Sequence, residues 1–100
     1  MVGSFDAAFK KINMFDVVVY SKTVCPYCDR AKALLKSRGL AYKEINLDND
    51  MPAMQALIEK TGHRTVPQIF FNDHFVGGFD QLWALDRERP LHERDASDFT

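Results

Sequence analysis

Hydrophobic and polar positions change period several times along the chain, and each change marks an element. Asp16-Val17-Val18-Val19-Tyr20-Ser21 is a β-branched run of strand length, apolar almost throughout, which predicts a central strand buried on both faces. From Pro26 the spacing turns helical. Cys28, Ala31, Leu34 and Leu35 share a face, Lys36 and Arg38 fall in the last turn, and Gly39 offers a left-handed stop. Proline at the first helical position puts Cys25 at the N-cap. Ala41, Lys43, Ile45 and Leu47 then alternate with Tyr42, Glu44 and Asn46 as in a strand. Asp48-Asn49-Asp50 and Pro52 open a second helix, with Met54, Leu57, Ile58 and Thr61 on one side and Gly62 at its end. This order is a βαβ unit followed by a helix, and its parallel strands require a right-handed crossover. Beyond it, Gln68-Ile69-Phe70-Phe71 and Phe75-Val76 flank Asn72-Asp73-His74 as a hairpin. Gly77-Gly78 leads into Phe79, Leu82, Trp83 and Leu85 at helical spacing until Pro90.

The ends fall outside this pattern. Phe5, Ala8, Phe9 and Ile12 share a helical face after Ser4, so residues 1–15 are expected to form a short helical extension docked on a domain spanning residues 16–91. From Arg87 to Thr100 only Leu91, Ala96 and Phe99 are apolar, which predicts a partly mobile segment, residues 92–100 forming a charged C-terminal tail. With 100 residues, 46% of them hydrophobic, the chain can build one core and not two. Thirteen basic against 14 acidic side chains leave a net charge of -1, so no strong field would recruit nucleic acid or an anionic membrane. The start has no unbroken apolar run resembling a signal peptide, and no later stretch approaches spanning length. A cytoplasmic protein is expected.

In that setting, two cysteines separated by two residues point to redox or metal chemistry rather than a structural staple. A four-ligand zinc site is the weaker reading, because there is no second cysteine pair and His63, His74 and His92 lie in unrelated segments. The nucleophile in disulfide exchange is a thiolate, and a helix N-terminus presents unpaired N–H groups and the positive end of the dipole to Cys25. Lowering a thiol pKa from ~8.5 into the range of roughly 3.5 to 7.5 takes about 1.4 to 7 kcal/mol. The dipole supplies only roughly 0.3 to 2 kcal/mol. Direct bonds from the amides of Tyr27 and Cys28, with nearby Lys22, are expected to supply the rest. Cys28, on the apolar face one turn in, suits a buried resolving thiol.

Thr65-Val66-Pro67 precedes the third strand, where proline either starts an edge or takes the cis form. A cis bond would turn the Val66 backbone toward the dithiol, leaving its N–H and C=O to pair with an extended peptide. Gly77-Gly78-Phe79-Asp80 gives a flexible turn into a helix start, where amides can bind a carboxylate and Asp80 can take an ammonium group. Compensation of the helix dipole is the plainer role for Asp80.

In these features the chain resembles the dithiol glutaredoxins. The likeness runs from about Asp16 to Leu91 and rests on Lys22, Cys25-Pro26-Tyr27-Cys28, Thr65-Val66-Pro67 and Gly77-Gly78-Phe79-Asp80 in order. It implies a thioredoxin-like α/β fold, a four-stranded mixed sheet with helices on both faces. It further implies a glutathione-dependent disulfide oxidoreductase, monomeric, with no bound cofactor or metal and with glutathione as reducing co-substrate. By the resemblance, Cys25 is the nucleophile and Cys28 the resolving thiol. Lys22 would meet the glycine carboxylate of glutathione, Tyr27 and Thr65-Val66-Pro67 would line the groove, and Val66 would pair with the cysteinyl backbone. Gly78, Phe79 and Asp80 would hold the γ-glutamyl end. The implied clients are disulfide-bonded or glutathionylated proteins, ribonucleotide reductase being one candidate.

Two positions depart from the family pattern. Phe79 stands where many relatives have Cys or Ser, but the position contributes a backbone amide. Met54 stands where Gln or Arg is frequent, leaving Gln55 or Arg64 as the second partner for the glycine carboxylate. Two other readings compete. A thioredoxin-like donor recharged by a flavoprotein would carry Trp-Cys-Gly-Pro-Cys, unlike Val24 before this motif. A carrier of a glutathione-ligated iron-sulfur cluster would usually lack proline after the first cysteine.

Overall fold

The structure, a computed structural model, describes residues 15–99. The helix expected near the N-terminus falls, apart from Phe15, outside the described residues.

Four strands and three helices follow the predicted order. They are β1 (Val17–Ser21), α1 (Pro26–Ser37), β2 (Lys43–Asn46), α2 (Met51–Thr61), β3 (Gln68–Phe71), β4 (His74–Gly77) and α3 (Phe79–Glu88). The sheet order is β2-β1-β3-β4, with β1 and β2 parallel and the other pairs antiparallel. Val18 lies opposite Phe70, and Phe70 opposite Phe75.

Strand alternation divides the core in two. Val17 and Val19 of β1 and Ile69 and Phe71 of β3 face α1 and α3, where they meet Ala31, Leu35 and Leu82. Val18, Tyr20 and Phe70 face the other way, against Met54 and Leu57 of α2. Both faces of the central strands are therefore covered, which is why β1 reads as nearly continuous apolar sequence. Phe71 is wholly buried, and truncating such a ring to alanine typically costs about 3–5 kcal/mol.

Local signals set the boundaries. Asp50 caps α2 by accepting the Ala53 N–H at 3.1 Å, and Gly62 closes it in the left-handed region. In the hairpin turn, Asn72 takes φ 54° and its side chain accepts the Asp16 N–H at 2.9 Å. His74, read from sequence as part of the turn, begins β4.

The C-terminal segment differs from expectation. In place of a partly mobile tail it forms two short 3-10 turns, Leu91–Glu93 and Ala96–Phe99, and both Leu91 and Phe99 are buried. The Phe99 ring packs edge-on against Phe15 and Phe71, at centroid distances of 5.0 and 4.9 Å. Arg89 pairs with Asp98 at 2.8 Å, and Arg94 donates to the Leu85 carbonyl at 2.8 Å. Two apolar anchors outweigh the charge density that suggested a loose end. Among the described residues no helix is long and apolar enough to cross a membrane.

Candidate active site

The C-terminal ends of β1 and β2, the start of α1, the chain entering β3 and the start of α3 meet at one end of the sheet. Cys25 is the N-cap of α1, with φ -156° and ψ 93°, and Pro26 follows at the first helical position. Its Sγ accepts the Cys28 N–H at 3.1 Å; of the two amides expected, this one makes the bond. Cys25 and Cys28 are joined in a disulfide. Cys25 is 8% exposed and Cys28 0%, so an incoming sulfur reaches the pair through Cys25. Val24 beside it is 91% exposed and Tyr27 53%.

The Val66–Pro67 peptide is cis, and the Val66 carbonyl oxygen lies 3.8 Å from Cys25 Sγ. In the disulfide that sulfur has no proton to donate, so this is a contact and not a hydrogen bond. Gln68 holds the approach to it. Fully buried at the start of β3, its amide nitrogen donates to the carbonyls of His63 (2.5 Å) and Thr65 (3.1 Å), and its amide oxygen accepts from Thr61 Oγ1 (2.9 Å). A buried amide without these partners would cost about 1–3 kcal/mol, so the loop carbonyls and Gln68 fix each other.

From Tyr27 a groove of approximately 280 Å³ runs past Thr65, Val66 and Pro67 to Gly78, Phe79 and Asp80, with His63 and Gln81 completing its walls. The Tyr27 and Phe79 rings stand 6.2 Å apart across one end, and the Arg30 guanidinium lies 5.1 Å from the Tyr27 ring centre. Gly78 caps α3 with no side chain of its own, and its N–H donates to Gln81 Oε1 at 2.8 Å. Gly77 has φ 125°, and a Cβ there would stand 2.8 Å from Gln81 Cγ, so both conformation and space require glycine.

Seven of the predicted residues beyond the dithiol thus line one groove. Lys22 and Arg64 are exposed and stand outside that lining. Lys22, Arg64 and Asp80 form no ion pair among the described residues, whereas Lys32, Arg38, Arg89 and Arg94 do. Met54 is buried against Leu57 and Phe70, and exposed Gln55 donates to Glu59 at 3.4 Å. Sequence reasoning did not single out His63, Gln68 and Gln81. Only Gln81 left a local signal, a Gln three residues after a helix N-cap. Among the described residues no group of three or more His, Cys, Asp or Glu side chains is placed to hold a metal ion.

Known proteins share both sequence and architecture. The glutaredoxin family model matches residues 17–76. Glutaredoxin 3 of Escherichia coli (strain K12) is 45% identical over 73 residues, covering 73% of this chain and 88% of that protein. A glutaredoxin of Pseudomonas aeruginosa is 45% identical over 75 residues, covering 75% of this chain and 89% of its own length. The crystal structure of a buckwheat glutaredoxin–glutathione complex superposes with a TM-score of 0.73 at 35% identity, covering 88% of this chain and 83% of that one. With a redox-active cysteine pair at the head of α1 and a family match across the sheet that carries it, the chain belongs to the glutaredoxin family of thiol-disulfide oxidoreductases.

Proposed function

We propose that the protein uses glutathione as its electron donor and reduces both glutathione mixed disulfides and protein disulfides through Cys25 and Cys28. The observation that carries this reading is a groove that passes beside the dithiol at Val66, whose carbonyl lies 3.8 Å from Cys25 Sγ, and reaches the start of α3. The groove offers a tripeptide an edge of backbone at Val66, helix N–H donors at Phe79 and Asp80, and a carboxylate on Asp80.

With a glutathionylated protein, the Cys25 thiolate attacks the glutathionyl sulfur. The bond between glutathione and client breaks, the client thiolate leaves and takes a proton, and Cys25 carries glutathione as a mixed disulfide. A second glutathione thiolate then attacks that glutathionyl sulfur, releasing oxidised glutathione and the Cys25 thiolate. With a protein disulfide, Cys25 bonds to one client sulfur and expels the other. The Cys28 thiolate next attacks Cys25 Sγ, freeing the reduced client and leaving the Cys25–Cys28 disulfide, which two glutathione molecules reopen. Lys22 and Arg64, exposed beyond the groove, are assigned to the glycine carboxylate. The protein acts as a monomer in the cytoplasm on disulfide-bonded or glutathionylated proteins, ribonucleotide reductase being one candidate client.

An assay coupling glutathione and its reductase to a small mixed disulfide, beside one using a protein disulfide, tests the division of labour. Cys25→Ser is expected to abolish both activities, and Cys28→Ser to lose only the second, because glutathione can resolve the Cys25 adduct. Equal loss of both in the two variants would remove this assignment.

A further inference from the structure

The groove contains a polar side chain that the mechanism above leaves without a task. His63 follows Gly62 and is clamped through its own backbone. Its N–H donates to Thr61 Oγ1 at 3.1 Å, and its carbonyl accepts from the Gln68 amide at 2.5 Å. The imidazole packs edge-on against Phe75, with ring centroids 5.7 Å apart. Backbone and ring are therefore both fixed, and Nε2 is delivered to the groove, 3.7 Å from where a Cβ on Gly78 would stand. Neither ring nitrogen has a hydrogen-bond partner among the described residues, and neither is sealed from solvent. Opposite it lies the start of α3. Gln81 Oε1 occupies the Gly78 N–H, while Phe79 and Asp80, the next residues, line the groove in a first turn that has no side-chain cap from Gly78.

We infer that His63 is a specificity-determining residue for the γ-glutamyl end of glutathione, donating from Nε2 to the α-carboxylate held at the start of α3. The inference rests on the glutathione reading. Asp80, the one carboxylate on the groove wall, faces the same space. His63 and Asp80 then read the two opposite charges of one amino-acid terminus, carboxylate by imidazole and ammonium by carboxylate. Backbone amides can accept an anion of many shapes. Only a side chain on the opposite wall makes the site demand that the anion project from a zwitterionic end.

The test times thiol release from a fluorescent peptide carrying glutathione in mixed disulfide, and from the same peptide carrying cysteinylglycine, which lacks the γ-glutamyl group. In each case reduced protein attacks through Cys25, the bond to the peptide breaks, and the peptide leaves as a thiol. Wild type is expected to prefer the glutathionyl peptide. His63→Leu should shrink that preference about tenfold, the value of one hydrogen bond to a charged group. His63→Gln, whose amide can still donate, should restore most of it, which separates a lost donor from a disturbed fold. An unchanged preference in His63→Leu, or a loss in His63→Gln as large as in His63→Leu, would overturn the inference. A wild type that does not distinguish the peptides would remove the glutathione reading itself, and this inference with it.

Discussion

When the disulfide opens, the groups that stabilise a Cys25 thiolate are already in position. Moving a thiol from ~8.5 to ~7 takes about 2 kcal/mol. The helix dipole offers roughly 0.3 to 2 kcal/mol and an N–H bond to a charged acceptor about 1.5 to 3, so the Cys28 amide and the dipole together suffice. Alkylation of the reduced protein against pH should therefore show a single inflection below 7, belonging to Cys25, with buried Cys28 unreactive. An inflection near ~8.5 would mark an unactivated thiol. Lys22→Gln should move it only modestly, because an exposed ammonium is screened by water. Lys22→Ala and Asp80→Ala belong to the same scale. Each is expected to raise the KM for glutathione about tenfold with an unchanged Tm, since neither side chain holds an ion pair among the described residues. Steady-state kinetics beside thermal melts would check this, and a wild-type KM in both variants would remove these charges from the binding scheme.

The turn between β1 and α1 is tied to the end of β2. The Asp48 carboxylate accepts both the Thr23 hydroxyl and the Thr23 N–H, the latter at 3.2 Å, while the Asn46 amide donates to Thr23 Oγ1 at 3.1 Å. The Thr23 hydroxyl, then its N–H, holds the Asp48 carboxyl below the usual carboxylate range. Asp48→Ala should free the turn that delivers Cys25, slowing disulfide exchange several-fold and speeding amide hydrogen exchange at Thr23 and Val24, with β3 and β4 unaffected. Exchange confined to wild-type rates would mean the clasp is idle. Elements such as these were legible where their signals are local. Pro26, Asp50, Gly39 and Gly62 act on their own turns, and the nearly continuous apolar run of β1 follows from covering both sheet faces. Gln68 was not legible as a site residue. Propensity gives it a place in a strand, but the carbonyls that use its amide are fixed only once α2 and β3 are docked. His63 escaped for the same reason, since its task depends on Gly78, fifteen residues further on. The C-terminal segment was misjudged because Phe99 finds its partners at Phe15 and Phe71, far away in the chain.

Across the whole molecule, the C-terminal end of α1 is joined to α3 by Arg38 and Asp86. The guanidinium meets the carboxylate through two bonds, of 2.8 and 2.7 Å, and the Leu91 N–H adds a third at 3.2 Å. Asp86 is 6% exposed, and the Arg38 bond, helped by the Leu91 N–H against the cost of burial, holds its carboxyl below the ordinary value. Because the folded pKa is the lower one, the stabilisation is fully present above the unfolded value of ~3.9 and disappears as pH falls through the folded value. Asp86→Asn should lower Tm by several degrees at pH 7, and the gap to wild type should close as pH falls below about 4. Thermal melts across that window would check it. A gap that stayed constant with pH would assign the effect to packing instead of charge.

The burial of Cys28 also bears on how long the protein survives oxidative attack. Hydrogen peroxide turns an accessible thiolate into a sulfenic acid, and a second equivalent carries it to a sulfinic acid that thiols cannot recover. A thiol one helical turn away can condense with the sulfenic acid first, losing water and forming the bond already present between Cys25 and Cys28. The oxidant itself cannot reach a sulfur with no exposed surface. The position that keeps Cys28 from ever striking first thus makes it a guard, converting a lesion on Cys25 into an ordinary substrate for repair.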